Sequence, residues 1–162
     1  MKILRPLGNK IAQKVKSWRE IKKEAWELKA FMEAKDFEGH WDDAYAISHV
    51  QVSENPKNFF VVHDKIVKDF GSWCVVNLKI TKKSDPCTFP EGCMSFMYRD
   101  VKRVDRYADI KVFYWTPFMN LFLIPRWKRF KAPMKEGDDG TIATFICAHE
   151  ADHAKGINIY GL

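Results

Sequence analysis

The sequence predicts an α+β fold, in which a late helix packs centrally against small antiparallel or mixed sheets. Three observations predict it. An early segment places apolar residues at helical spacing. Several middle segments are short and rich in β-branched and aromatic residues. A late segment returns to helical spacing and carries two histidines on one face. The chain has 162 residues, enough for one domain over 1–162 with a sizeable core, and it shows no internal repeat, linker or low-complexity stretch.

Taken in order, residues 1 to about 16 are basic and weakly patterned and read as an N-terminal arm. Ser17-Trp18-Arg19-Glu20 has the spacing of a capping box, and Trp18, Ile21, Ala25, Leu28 and Met32 then mark an amphipathic helix to about Lys35. Asp36 to Asp43, with Gly39, reads as a turn region. Residues 59–63 (FFVVH), 74–80 (CVVNLKI) and 110–115 (IKVFYW) read as strands, and Lys82 to Pro90 as a loop. Asn120 to Phe130 reads as one or two further strands, broken near Pro125. Thr141 to Gly156 is the late helix, with Asp138 or Asp139 available as its cap and Gly156 as its stop.

Composition bounds the function. The net charge is +6, which means solubility or a weak attraction to an RNA-rich or acidic surface. No stretch is apolar for long enough to span a membrane, and the start, MKILRPLGNK, lacks a signal-peptide core. Cys74, Cys87, Cys93 and Cys147 are too sparse for a disulfide framework and fit a reducing, cytoplasmic setting. Neither a membrane nor DNA is an expected partner.

The chemistry-bearing stretch is TIATFICAHEADHAKG, 141–156. Its His149, Glu150 and His153 form H-E-x-x-H. Residues four apart share a helix face, so two imidazoles can hold one metal ion with a carboxylate beside it. Such an ion lowers the pKa of a bound water, and Glu150 can take its proton. Ile142, Phe145, Ile146, His149 and His153 recur at helical spacing and define the expected buried face.

A catalytic site of this kind needs a third protein ligand and an open position. The nine residues after His153, AKGINIYGL, contain no His, Cys, Asp or Glu, and Ile159 stands where a longer zinc motif has a third histidine. The third ligand is therefore expected upstream. Two readings of such a site stay open: a small metallopeptidase using Cys93 or an acidic residue, and a non-enzymatic zinc module whose fourth position is closed by Cys87.

Upstream, Glu91-Gly92-Cys93-Met94-Ser95 stands out. With H-E-A-D-H it closely resembles the peptide deformylases, where E-G-C-(apolar)-S supplies the third ligand and H-E-x-D-H-x-x-G the other two. That family's first motif, G-(apolar)-G-(apolar)-A-A-x-Q, is matched weakly by residues 44–51. There Ala44 and Ala46 replace both glycines, Ser48 and His49 replace the two alanines, and Gln51 agrees. Further departures are Ala148, Ala154, and Met97-Tyr98 where a proline is usual. The resemblance covers about Ser17 to Ile159 and is to a short form without a C-terminal helix, as in phages.

The resemblance implies a peptide-deformylase-like fold and removal of the formyl group from the formylmethionine that begins a new protein. It implies Cys93, His149 and His153 as ligands of Fe2+, for which Zn2+, Ni2+ or Co2+ can substitute. A hydroxide on the metal would attack the formyl carbon, with Glu150 as general base and then acid. The Gln51 amide and the Met94 backbone N–H would stabilise the oxyanion. Tyr45, Ala46, Ile47, Gly92, Phe145 and Ile146 would bind substrate, and Glu91 and Asp152 would support the ligands. Arg99 or Arg103 is the expected contact to the peptide backbone. The implied partners are N-formylmethionyl peptides in a bacterial or phage-infected cell, with a weak electrostatic ribosome contact through basic residues such as Lys128, Arg129 and Lys131. Cys74 and Cys147 are expected to pack, and the alternating run 126–131 to be a half-buried strand.

Overall fold

The computed structural model describes residues 1–4, 9–37, 45–92, 102–133 and 139–157. Cys93, Met94, Arg99 and Asp138, all assigned expectations above, lie outside them.

The elements are helix α1 (Trp18–Phe37), strand β1 (Ala46–Ser48), a 3-10 turn (His49–Gln51), β2 (Phe59–Val62), a second 3-10 turn (Asp64–Ile66) running into the short α2 (Val67–Phe70), β3 (Cys74–Glu91), β4 (Lys102–Phe118), β5 (Phe122–Lys131) and α3 (Ala143–Ala154). The five strands form one antiparallel sheet in the order β1-β2-β3-β4-β5. Among the described residues no helix is long and apolar enough to cross a membrane.

The sheet lies between two helices. On one face α1 buries Trp18, Ile21, Ala25, Leu28 and Met32 against Ile47, Phe59, Val61, Cys74 and Val76. On the other, Ala143 and Cys147 of α3 pack with Phe60, Val62, Val75, Ile110, Val112 and Tyr114. β2 reads as continuously apolar because alternate residues serve both cores. The small side chains of Ala143 and Cys147 let α3 sit deep. Its most buried residues include Ala143, Cys147 and Glu150, whereas Ile142, Ile146 and His149 are half-buried. Of the five residues expected on the buried face, Phe145 and His153 are buried, and the small Ala143 and Cys147 take deep positions beside them.

Four strand and cap expectations are corrected. The span 82–90 is not a loop: β3 continues through it, paired with β4 from Lys82↔Lys111 to Glu91↔Lys102. Past Val76, β3 has no second strand neighbour among the described residues. Pro86 and Pro90 are four apart, so both can direct the position of their missing N–H to that open side. β5 likewise runs unbroken through Pro125, which an outer strand tolerates. At α3 the first free N–H, that of Ala143, donates to Thr141 Oγ1 at 3.1 Å, so Thr141 and not Asp139 serves the helix start. Gly156 ends it as expected: its φ is 75°, and Ile157 N–H returns to the Asp152 carbonyl at 2.9 Å. At α1, the Glu20 carboxylate accepts from Lys16 N–H at 2.8 Å, one residue earlier than a Ser17 capping box places it.

The N-terminal arm is docked along the body. Leu4 N–H donates to the Gln51 carbonyl (2.8 Å) and Ala12 N–H to that of Ala154 (2.9 Å). The Asn77 side chain, on a residue with φ of 52°, accepts from Val15 N–H and donates to Val15 O. The run 126–131 is strand, as its alternation predicted. Arg129 and Lys131 share one sheet face, whereas Lys128, opposite the buried Val112, belongs to the other.

Candidate metal centre

α3 carries its two histidines one turn apart, and their rings stand nearly perpendicular (84°) with Nε2 atoms 3.0 Å apart. Ligand atoms of His149, Glu150 and His153 all lie within 4.8 Å of one another, the one such group found among the described residues. His149 Nδ1 lies 2.8 Å from Glu91 Oε1 at the end of β3. A carboxylate only accepts, so Nδ1 carries a proton and Nε2 turns toward His153. His153 is 1% exposed, and burial holds its pKa well below the ordinary value. His153 is therefore in the neutral form a metal requires.

Glu91 is itself held. Arg106 of β4 donates through Nε to Oε2 (2.7 Å) and through Nη2 to Oε1 (2.9 Å), and its Nη1 reaches Asp152 Oδ2 (2.9 Å). Burial raises the Glu91 pKa, but the hydrogen bonds from His149 and Arg106 outweigh it and keep it below the carboxylate range. The supporting role expected for Glu91 and Asp152 thus has a geometry. Arg106 joins both to the histidine, and sequence reasoning missed it. The available signal was an arginine between Val104 and Ala108, at the buried parity of a strand. Arg103 instead is exposed and bonded to Thr88.

Glu150 is 5% exposed, and its Oε2 is buried without a hydrogen-bond partner among the described residues. Burial pushes its pKa up to about 7; His149 counteracts this and Glu91 adds to it. A buried carboxylate oxygen left open beside two converging imidazoles suits a cation and a transferable proton. The residues present fit a divalent metal ion.

Gln51 is 2% exposed. Its Oε1 accepts from Ser48 N–H at 3.0 Å, within a true capping box on the 3-10 turn. That bond assigns the carbonyl end of the amide, so the opposite end is the NH2 donor. His49 points elsewhere. Its Nδ1 accepts from Lys57 N–H (2.8 Å), its Nε2 meets Glu24 of α1 (3.0 Å), and its ring stacks on Phe59. Since Nδ1 is an acceptor, His49 is neutral and Nε2–H donates to Glu24. Burial lowers its pKa to about 4. Glu24 favours the charged form but is half exposed, and burial dominates.

The expected pocket residues divide. Tyr45, Ala46 and Ile146 are partly buried against the α3-side core. Phe145 stacks on Phe89 with centroids 3.8 Å apart. The Ile47 side chain belongs to the α1-side core, which leaves its backbone for any ligand. Gly92 is exposed and directly follows Glu91. Cys87, the suggested fourth ligand of a structural site, packs beside Phe145 and Ala108, and burial raises its thiol pKa. Cys74 and Cys147 are buried thiols in the two cores.

The family model described as polypeptide deformylase matches residues 2–161. No curated protein sequence matches the chain. Among solved structures, the fold is similar to the deformylase of Vibrio parahaemolyticus bacteriophage VP16T in complex with actinonin (24% identity, 98% of this chain and 100% of that one, TM-score 0.69). It is similar to the Thermotoga maritima enzyme (22%, 98% and 94%, 0.69) and to a probable deformylase of Synechococcus phage S-SSM7 (23%, 99% and 97%, 0.68). The sheet between two helices and the match over nearly the whole chain lead to one conclusion: the chain belongs to the polypeptide deformylase family.

Proposed function

We propose that residues 1–162 form one catalytic domain that hydrolyses the formyl group from N-terminal formylmethionine of newly made proteins. The observation that carries this reading is the convergence of His149 and His153 at 3.0 Å beside the open oxygen of buried Glu150, with His149 oriented by Glu91. His149, His153 and Cys93 would hold the ion, Fe2+ by family resemblance. When bound, it supplies Lewis acidity toward water and the formyl carbonyl.

The remaining work belongs to the chain's own groups. Glu150 takes the proton of the attacking water and returns it to the leaving amine; its burial suits both directions of transfer. The Gln51 NH2 and the Met94 backbone N–H donate to the oxygen of the formyl group as charge develops there. β1 is an outer strand of the sheet, so the backbone of Ala46 and Ile47 can receive an extended peptide, with Gly92 allowing close approach. Tyr45, Phe145 and Ile146 supply apolar surface for methionine. On this reading the enzyme works in the cytoplasm, where formylated chains are made, and meets ribosomes through charge alone.

The test is hydrolysis of matched formyl-Met, acetyl-Met and unblocked Met peptides by metal-loaded protein under low oxygen. Release of formate from the first alone supports the reading. Cleavage of peptide bonds in the third would transfer the chain to the metallopeptidase alternative.

A further inference from the structure

The sheet face under α1 is covered only in part. α1 packs on Phe59, Val61, Cys74 and Val76, with Trp115 and Leu123 at the margin of that contact. Beyond the margin, strand register arranges rows of side chains that share this face. Lys79 stands opposite Phe113, and Phe113 opposite Trp127. The next row is Lys82, Lys111 and Arg129, and the one after it ends in Asp109 and Lys131.

Two features of this face call for a ligand. Trp127 is 72% exposed in mid-strand and leans on Phe113, with ring centroids 5.0 Å apart and planes at 46°. Three cations directly opposite one another across three strands also repel, which a sheet does not gain from by itself. The acid in these rows, Asp109, is engaged by Arg129 through bonds of 3.0 and 2.6 Å, and Lys131 and Lys111 add further positive charge around it. Asp85 also acts on Arg129. Among the described residues the two lysines of the row, Lys82 and Lys111, form no ion pair, which leaves their charge to a ligand.

We propose that this face binds a single-stranded segment of RNA, with bases stacked on Trp127 and Phe113 and phosphates along Lys82 and Lys111. Every base offers a π face to an exposed aromatic ring, and a polyanion relieves the repulsion of the row. The charge of +6 adds attraction at longer range. The choice of RNA over DNA rests on the proposed function, whose substrate is delivered by an RNA-rich particle. α3 and its histidines pack on the opposite face of the sheet, so bound RNA leaves the metal centre open.

The experiment is fluorescence anisotropy of a labelled oligouridine of roughly 12 nucleotides, long enough for one stacking platform. DNA of the same length and an RNA duplex serve as competitors, at low and moderate salt. Trp127→Ala should weaken RNA binding about 5-fold or more, the loss of one base stack. The double variant Lys82→Gln/Lys111→Gln should reduce the slope of log affinity on log salt by about 1.4, two single-strand phosphates. Duplex should compete poorly, and DNA no better than RNA. Absence of binding at low salt, indifference to Trp127→Ala, equal binding of duplex or tighter binding of DNA each overturn the proposal. Formyl-peptide hydrolysis is followed on the same samples and should be unchanged in Trp127→Ala. A parent that binds RNA in this pattern without hydrolysing formyl-Met counts against the proposed activity and not against this face.

Discussion

Arg106 is buried, and it holds Glu91 with two hydrogen bonds and Asp152 with a third. Through Glu91 it fixes the ring of His149. Removing one partner of a buried pair strands the other's charge, which costs about 3–5 kcal/mol. Arg106→Met should therefore lower thermal stability and weaken metal binding by about 10- to 100-fold, as loss of outer support does. His149→Ala or Cys93→Ser should instead lose most of the metal. Metal content after gel filtration checks all three, and full occupancy in either ligand variant would remove the proposed site. The helical triad was legible because its residues lie within one turn. Arg106 was not, because its partners are 15 and 46 positions away and only the fold joins them.

His49 gives a second prediction at this scale. Its pKa falls from 6.5 to about 4 on folding, chiefly through burial. Below about 6.5 the unfolded chain binds a proton that the folded chain refuses, so this residue's contribution is intact above that pH and is lost as pH falls toward 4. Melting temperature should drop across that window, and His49→Gln should flatten the drop. A variant profile parallel to the parent's would contradict the neutral, packed His49 described above. Sequence alone assigns this residue no role, because a histidine in place of a small residue carries no address; its tautomer is set by Lys57 N–H.

Among the elements, helices followed their periodicity, and strands were found wherever β-branched runs occurred. The extensions of β3 and the continuity of β5 were hidden by Pro86, Pro90 and Pro125, which signal breaks unless the strand has an open side. The arm was hidden for another reason: its attachments are backbone hydrogen bonds, to which side-chain pattern is blind. Gly156 ties the arm to α3. It has a φ of 75°, and a Cβ there would stand 2.6 Å from the Asn9 carbonyl oxygen. Gly156→Ala should cost about 1–2 kcal/mol from the left-handed backbone alone, with more from that clash. The measurement is limited trypsin digestion: cleavage at Lys10, Lys14 or Lys16 should quicken in the variant. Unchanged arm protection would show that the arm holds independently of α3.

At the scale of the whole molecule, one antiparallel sheet separates two faces with different work. α3 fills one face and carries two converging histidines, of which the buried His153 is neutral, beside a buried carboxylate oxygen with no partner among the described residues. The other face is shared between α1 and the aromatic and basic rows of β3, β4 and β5. The α+β class was legible from the order of periodicities, and the family from motifs, of which the fold brings Glu91 against His149 of α3. The shared face was not legible, since run 126–131 alternates between faces and only register shows which cations stand together.

The central claim is that Glu150 does the proton transfer for hydrolysis of a formyl group at this site. The direct measurement is kcat/KM on a formyl-Met peptide for the iron-loaded parent and for Glu150→Gln, with metal content determined on both samples under low oxygen. The account predicts an active parent and a variant that keeps its metal and fold but loses about 10²–10⁴-fold in rate. A metal-replete variant working at nearly the parental rate, or a metal-loaded parent that releases no formate, would contradict it.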